Sequence, residues 1–158
     1  MNYIHYMPTS TDILILDRLL ELSIMLTKDM DGEFARQGLT LARTHLLWEL
    51  HLRGPVKQRE LAAALDVSPR NVTALVDALV ASDHVAREAH PSDRRAFLIM
   101  LTSAGREVAQ RMAEGRRQLA AHLMNDLPAR DRAATARVLE QAVIRLRSET
   151  NREGNDHD

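Results

Sequence analysis

Apolar positions recur with a helical period along most of the chain and switch to an extended pattern once. From Thr9 or Ser10, either a fair N-cap, the segment to about Arg36 aligns Leu16, Leu19, Leu20 and Ile24, with Leu22 and Leu26 off that stripe. This predicts a long helix with a broad apolar face. Thr40 is the expected cap of a second helix, whose Leu46, Leu47, Trp48 and Leu50 run up to the stop signal Gly54-Pro55. Two short helices, roughly Lys57 to Leu65 and Pro69 to Ser82, follow across a tight turn at Asp66-Val67-Ser68. In the second, Val72, Leu75, Val76, Leu79 and Val80 step by three and four along one side, while Ser68 suits the N-cap and Pro69 the first turn, where its missing N–H costs nothing.

The extended stretch lies between His84 and Leu101. His84 to Glu88 and Ala96 to Leu101 are expected to pair as a hairpin, with Ala89 to Asp93 as the reversal and Phe97 to Leu101 as the buried arm. Thr102 or Ser103 then opens a long helix carrying Val108, Met112, Leu119 and Leu123. Pro128 starts a last one in which Ala136, Leu139, Val143 and Leu146 step like a coiled-coil seam. Beyond Ser148, residues 149–158 contain no apolar side chain and are expected to be a disordered tail.

Two short helices joined by a tight turn, the second apolar on one side only, form a helix-turn-helix pattern. Its outward residues are Arg70, Asn71, Thr73, Ala74, Asp77 and Ala78. Such folds present the start of the second helix to base edges in the major groove, here Ser68, Arg70, Asn71 and Thr73. These residue types suit base reading, since arginine donates twice to guanine, asparagine bridges adenine, and hydroxyls bond to bases or phosphates. A hairpin after the helix pair makes the unit a winged helix. The loop ahead of Phe97 carries Asp93, Arg94 and Arg95, and a wing arginine suits the minor groove, where negative potential concentrates. Asp93 is placed to accept from Arg95 and hold it extended.

Composition narrows the field. The 158 residues suit one domain, 1–148, with 9–36 and 103–148 as dimerisation helices around a lobe at 40–101. Aromatic residues are 3%, too few for stacking single-stranded nucleic acid. The absence of cysteine removes disulfides, thiol switches and thiolate metal sites. A formal net charge of −1 means that any polyanion site must be local, and residues 53–111 carry nine basic side chains against seven acidic ones. Apolar runs fall well short of the roughly 18 residues of a membrane span, and no signal core opens the sequence, so a cytoplasmic protein is expected.

The stretch "RELAAALDVSPRNVTALVDALVASDHVAR", followed by Asp93, Arg95, Ile99, Leu101, Thr102 and Gly105, resembles the multiple antibiotic resistance regulator (MarR) family over about residues 38–112. The resemblance implies a mainly α fold with a small β-hairpin wing: a winged helix-turn-helix lobe flanked by N- and C-terminal dimerisation helices. It also implies a homodimer on a palindromic double-stranded DNA operator, usually as a repressor. A small effector, commonly a phenolic or lipophilic anion, would bind where the dimer helices meet the lobe. Met25, Arg43, His45 and Trp48 are the candidate wall, although Trp48 and Met25 read more readily as plain core. Lys57 stands where the family often has a Ser or Thr cap, and there adds a phosphate contact.

Other readings remain. His45 and Glu49 share a helical face near His51, which raises a metal site or an acid–base pair of a small helical enzyme. Neither a His-Glu-x-x-His cluster nor a nucleophile supports them, so no cofactor, metal or catalysis is expected. A winged helix used for protein contacts is the remaining alternative.

Overall fold

The computed structural model of the chain describes residues 7–34, 38–90 and 93–153, without the side chains of 28–33, 90, 93–96 and 150–153. The elements are α1 (Ser10–Phe34), α2 (Leu41–Arg53), β1 (Val56–Lys57), α3 (Gln58–Leu65), α4 (Pro69–Ala81), β2 (Val85–His90), β3 (Asp93–Leu101), α5 (Ser103–Met124) and α6 (Ala129–Glu153). The chain divides into two compact units, Met1–Met112 and Ala113–Asp158.

In the first unit, local chemistry sets the helix ends. The Thr9 amide donates to Asp12 Oδ2 at 2.7 Å and the Asp12 amide to Thr9 Oγ1 at 3.3 Å, a reciprocal cap for α1. Thr40 accepts from the Arg43 amide, as expected, and Gly54 ends α2 at φ 74°, a left-handed conformation that glycine adopts without a Cβ clash. Asp66 takes φ 53° at the end of α3, turning the chain into α4. Leu46, Leu47 and Leu50 from α2, Leu61 from α3, Val72, Val76 and Leu79 from α4, Val85 and Ile99 from the sheet, and Val108, Ala109 and Met112 from α5 form one core.

Several expectations are corrected. The sheet has three strands in the order β1-β3-β2, not two: Val56 and Lys57 pair with Ile99 and Leu98. Two residues are too short to show a period, and their conformation is set by the β3 edge. The wing is longer than expected, because Asp93 and His90 pair and belong to strands. The five-residue buried arm is also wrong. Ile99 and Leu101 are buried and Leu98 and Met100, on the opposite face, are half-buried, as strand alternation requires; Phe97 shares the face of Ile99 but lies further along the hairpin, opposite Ala89, and is 57% exposed. On α4, Val80 lies at the margin of the apolar stripe and is exposed. Finally, α6 runs to Glu153, so 149–153 of the expected tail are helical. Glu and Arg are good helix formers, and extending a formed helix costs little.

In the second unit, no described side chain from Ala113 to Glu149 is buried. Leu139, Val143 and Leu146 of the expected seam are exposed, and so are Leu123 on α5 and Val138 and Ile144 off the seam. Local pairs decorate this surface: Glu114 accepts from Arg117 and, at 2.9 Å, from Gln118, and these bonds hold its carboxyl below the usual range. Among the described residues no helix is long and apolar enough to cross a membrane.

Candidate nucleic-acid interface

The start of α4 is built as its sequence requires. Ser68 sits in extended backbone and its Oγ accepts from the Asn71 amide at 3.2 Å, with Pro69 in the first turn. That cap fixes where the helix begins, and so which side chains project from its first turns. Val72 and Val76, both at most 1% exposed, press the opposite side into the core. Ser68, Arg70, Asn71, Thr73, Ala74 and Asp77 are left exposed together, the arrangement expected of a reading helix.

Thr73 differs from the rest. Its hydroxyl donates to the Pro69 carbonyl at 2.8 Å and accepts from Gln58 Nε2 at 2.8 Å. Its single proton is already used, so Thr73 joins α3 to α4 and has no donor left for a base. Gln58 escaped sequence reasoning, since nothing in a linear pattern pairs positions that far apart.

Arg87 was missed for the same reason. Its guanidinium donates to Asp77 Oδ1, linking the outer side of α4 to strand β2. The reading helix and the wing therefore share a surface ion pair as well as a core. Lys57 lies in extended backbone ahead of α3 and makes no side-chain cap, in keeping with its departure from a Ser or Thr.

At the wing, Ala89 faces Phe97 while the next β2 residue, His90, faces Asp93. Arg94, Arg95 and Ala96 thus have no opposite residue on β2, and the arginine pair sits in a bulge of β3. The side chains of Asp93, Arg94 and Arg95, and hence the expected Asp93–Arg95 contact, lie outside the described residues.

The candidate effector residues do not converge on a described cavity. A cavity of about 220 Å³ is lined by Leu50, His51, Gly54, Pro55, Met100, Leu101 and Arg106, none of them among Met25, Arg43, His45 and Trp48. Met25 is 60% exposed on α1, contrary to a core role, whereas Trp48 is half-buried against the core with its ring 5.3 Å from that of His51. Arg43 donates to the Gly38 carbonyl at 2.8 Å. His45 lies 4.0 Å from Glu49, whose carboxylate also accepts from Arg53 Nε at 2.7 Å. An arginine on that carboxylate is a poor setting for an acid–base pair. Among the described residues no group of three or more His, Asp or Glu side chains could hold a metal ion.

Known proteins match this architecture. The MarR family profile matches residues 39–97. The uncharacterized HTH-type transcriptional regulator YpoP of Bacillus subtilis is 36% identical over 85 residues, which are 54% of this chain and little more than half, 57%, of that protein. The HTH-type transcriptional repressor MdtR of the same organism is 30% identical over 121 residues, 75% of this chain and 78% of its own. Among solved structures, AbsC, a MarR family transcriptional regulator from Streptomyces coelicolor, superposes with a TM-score of 0.74 at 23% identity, covering 90% of this chain and 99% of AbsC, and so shares its fold. A capped reading helix, a wing beside it and this extent of likeness to MdtR place the chain in the MarR family of winged helix-turn-helix transcriptional regulators.

Proposed function

We propose that two copies of this chain bind a pseudo-palindromic operator in double-stranded DNA as a cytoplasmic repressor, and that a small-molecule effector releases them. The observation that carries this reading is the exposed row Ser68, Arg70, Asn71 and Ala74 at the start of α4, on the same core as the sheet that ends in Arg94 and Arg95. Arg70 and Asn71 read base edges, Ser68 and Lys57 contact phosphates, and the wing arginines enter the adjoining minor groove. Thr73 acts by fixing α4 on α3. The bare apolar side chains of α1 and α6 supply the surface for pairing, and half-sites about one helical turn apart give an operator of roughly 15–20 base pairs. The likeness to a named repressor supports the sign of regulation.

For the effector, α2 supports one wall. Leu41, His45, Trp48 and Leu52 recur at helical spacing along one side, and Leu41 and Leu52 are 48% and 62% exposed. Met25 and Arg43 complete the candidate set, and a phenolic or lipophilic anion is the class proposed. Its coupling to DNA is expected at about 1–3 kcal/mol.

A fluorescence-anisotropy titration on the chain's own upstream DNA, repeated over a salt series, tests the reading. Specific binding should weaken steeply with salt, and Arg70→Ala should cost about 1–3 kcal/mol on the operator while barely changing affinity for unrelated duplex. Equal loss on both DNAs would remove Arg70 from base reading, and absence of binding to any duplex would favour the protein-contact alternative.

A further inference from the structure

The junction between α4 and α5 carries a closer arrangement than a loop needs. After α4, Asp83 adopts φ 56°, and the His84 amide returns to the Leu79 carbonyl at 2.9 Å. The next two carbonyls along the chain are those of Asp83 and His84. Both are taken by one residue at the start of α5: Thr102 Oγ1 donates to the Asp83 carbonyl at 2.6 Å, and the Thr102 amide donates to the His84 carbonyl at 3.1 Å. The same Thr102 hydroxyl accepts from the Gly105 amide at 3.1 Å, capping α5. Arg106 reinforces the turn through the Leu101 carbonyl at 2.8 Å and Ser103 Oγ at 3.1 Å.

Gly105 makes the closeness possible. It is buried, and a Cβ there would overlap the His84 carbonyl oxygen and lie 3.0 Å from its carbon and 3.2 Å from Leu101 Cδ2. Backbone cannot yield as a flexible side-chain end can, so any larger residue must push the turn after α4 and the start of α5 apart. Three residues further along α5, Val108 and then Ala109 and Met112 are buried in the lobe core, so α5 cannot absorb the push by tilting freely.

We propose that Thr102 and Gly105 are positioning residues that set the angle between the reading helix α4 and α5, and thereby the operator spacing that the dimer accepts. The inference rests on the operator reading above. Neither residue touches DNA. Thr102 clasps the two carbonyls of the turn between α4 and β2, and Gly105 keeps that turn and the start of α5 at one separation. Because the second copy is joined through helices outside the lobe, a small rotation here moves the two reading helices apart or together along the duplex. The loss of the clasp therefore changes spacing preference as well as affinity.

The test measures the full-length chain on a set of operators whose half-sites differ in separation by single base pairs. Thr102→Val keeps the shape but removes the hydroxyl, and Thr102→Ser restores it. Gly105→Ala introduces the overlap. Circular dichroism selects the variants that fold, and Thr102→Val keeps the inference testable if Gly105→Ala does not. The expected result is that Thr102→Val and Gly105→Ala lose about tenfold or more of the discrimination between the best spacing and its neighbours, or shift the optimum, while Thr102→Ser keeps it. The salt slope should be unchanged, since no phosphate contact is lost. A uniform loss across all spacings would overturn the inference while leaving operator binding intact. Failure of the parent chain to prefer any spacing would overturn both.

Discussion

The lobe and the last helices solve the burial problem differently. From Leu39 to Met112 the chain closes a core of its own, with Leu46, Leu47, Leu61, Val76, Leu79 and Ile99 fully inaccessible. From Ala113 to Glu149 no described side chain is buried, although Val138, Leu139, Val143, Ile144 and Leu146 are all apolar. Helix α1 resembles the second region, with Ile13 to Leu16 consecutively apolar and about half exposed. A helix that leaves an apolar stripe in water gains by burying it against another surface. The lobe thus closes its own core, whereas these helices leave apolar side chains exposed, and the proposed pairing would place stability and association in different residues.

That contrast yields three expectations. Leu46→Ala, in the closed core, should lower unfolding free energy by about 2–5 kcal/mol in a urea titration. A much smaller loss would mean that the core is not the lobe's main support. Val143→Asp, on the bare face of α6, should leave the lobe's secondary structure intact but weaken association by about 1–3 kcal/mol per copy, through burial of a polar group without a partner. Sedimentation equilibrium should then show monomer at concentrations where the parent is paired, and an unchanged distribution would place the interface elsewhere. The smallest effect belongs to Asp77→Ala, which removes the ion pair with Arg87. A double-mutant cycle should give a coupling of about 0.2–1 kcal/mol, because Asp77 is exposed and solvent screens the pair. A larger value would make this pair, and not the shared core alone, a main joint between reading helix and wing.

What the sequence disclosed follows the same division. Periodicity and caps are local, so α2, α4, Ser68 and Thr40 could be read directly. Val56-Lys57 could not, because two residues become a strand only when β3 lies alongside. The exposed row on α4 was legible for the same local reason, yet the role of Thr73 was not: its hydroxyl is claimed by Gln58, across a turn. Asp77–Arg87 and Thr102–Asp83 are likewise contacts between elements, and a single chain read along its length shows residue types but not which carbonyl they meet. The motif Leu101-Thr102 with Gly105 was visible as part of a resemblance, but its reason emerged only with the His84 carbonyl in place.

The closed core of the lobe and the bare surfaces beyond it bear on inheritance. In the pairing proposed above, a copy with a damaged reading helix keeps the exposed apolar faces of α1 and α6 through which it would join a sound one. In a cell making both, every mixed pair would hold DNA by one arm, so such an allele should dominate over the intact gene, whereas an allele disabled in α6 should be recessive.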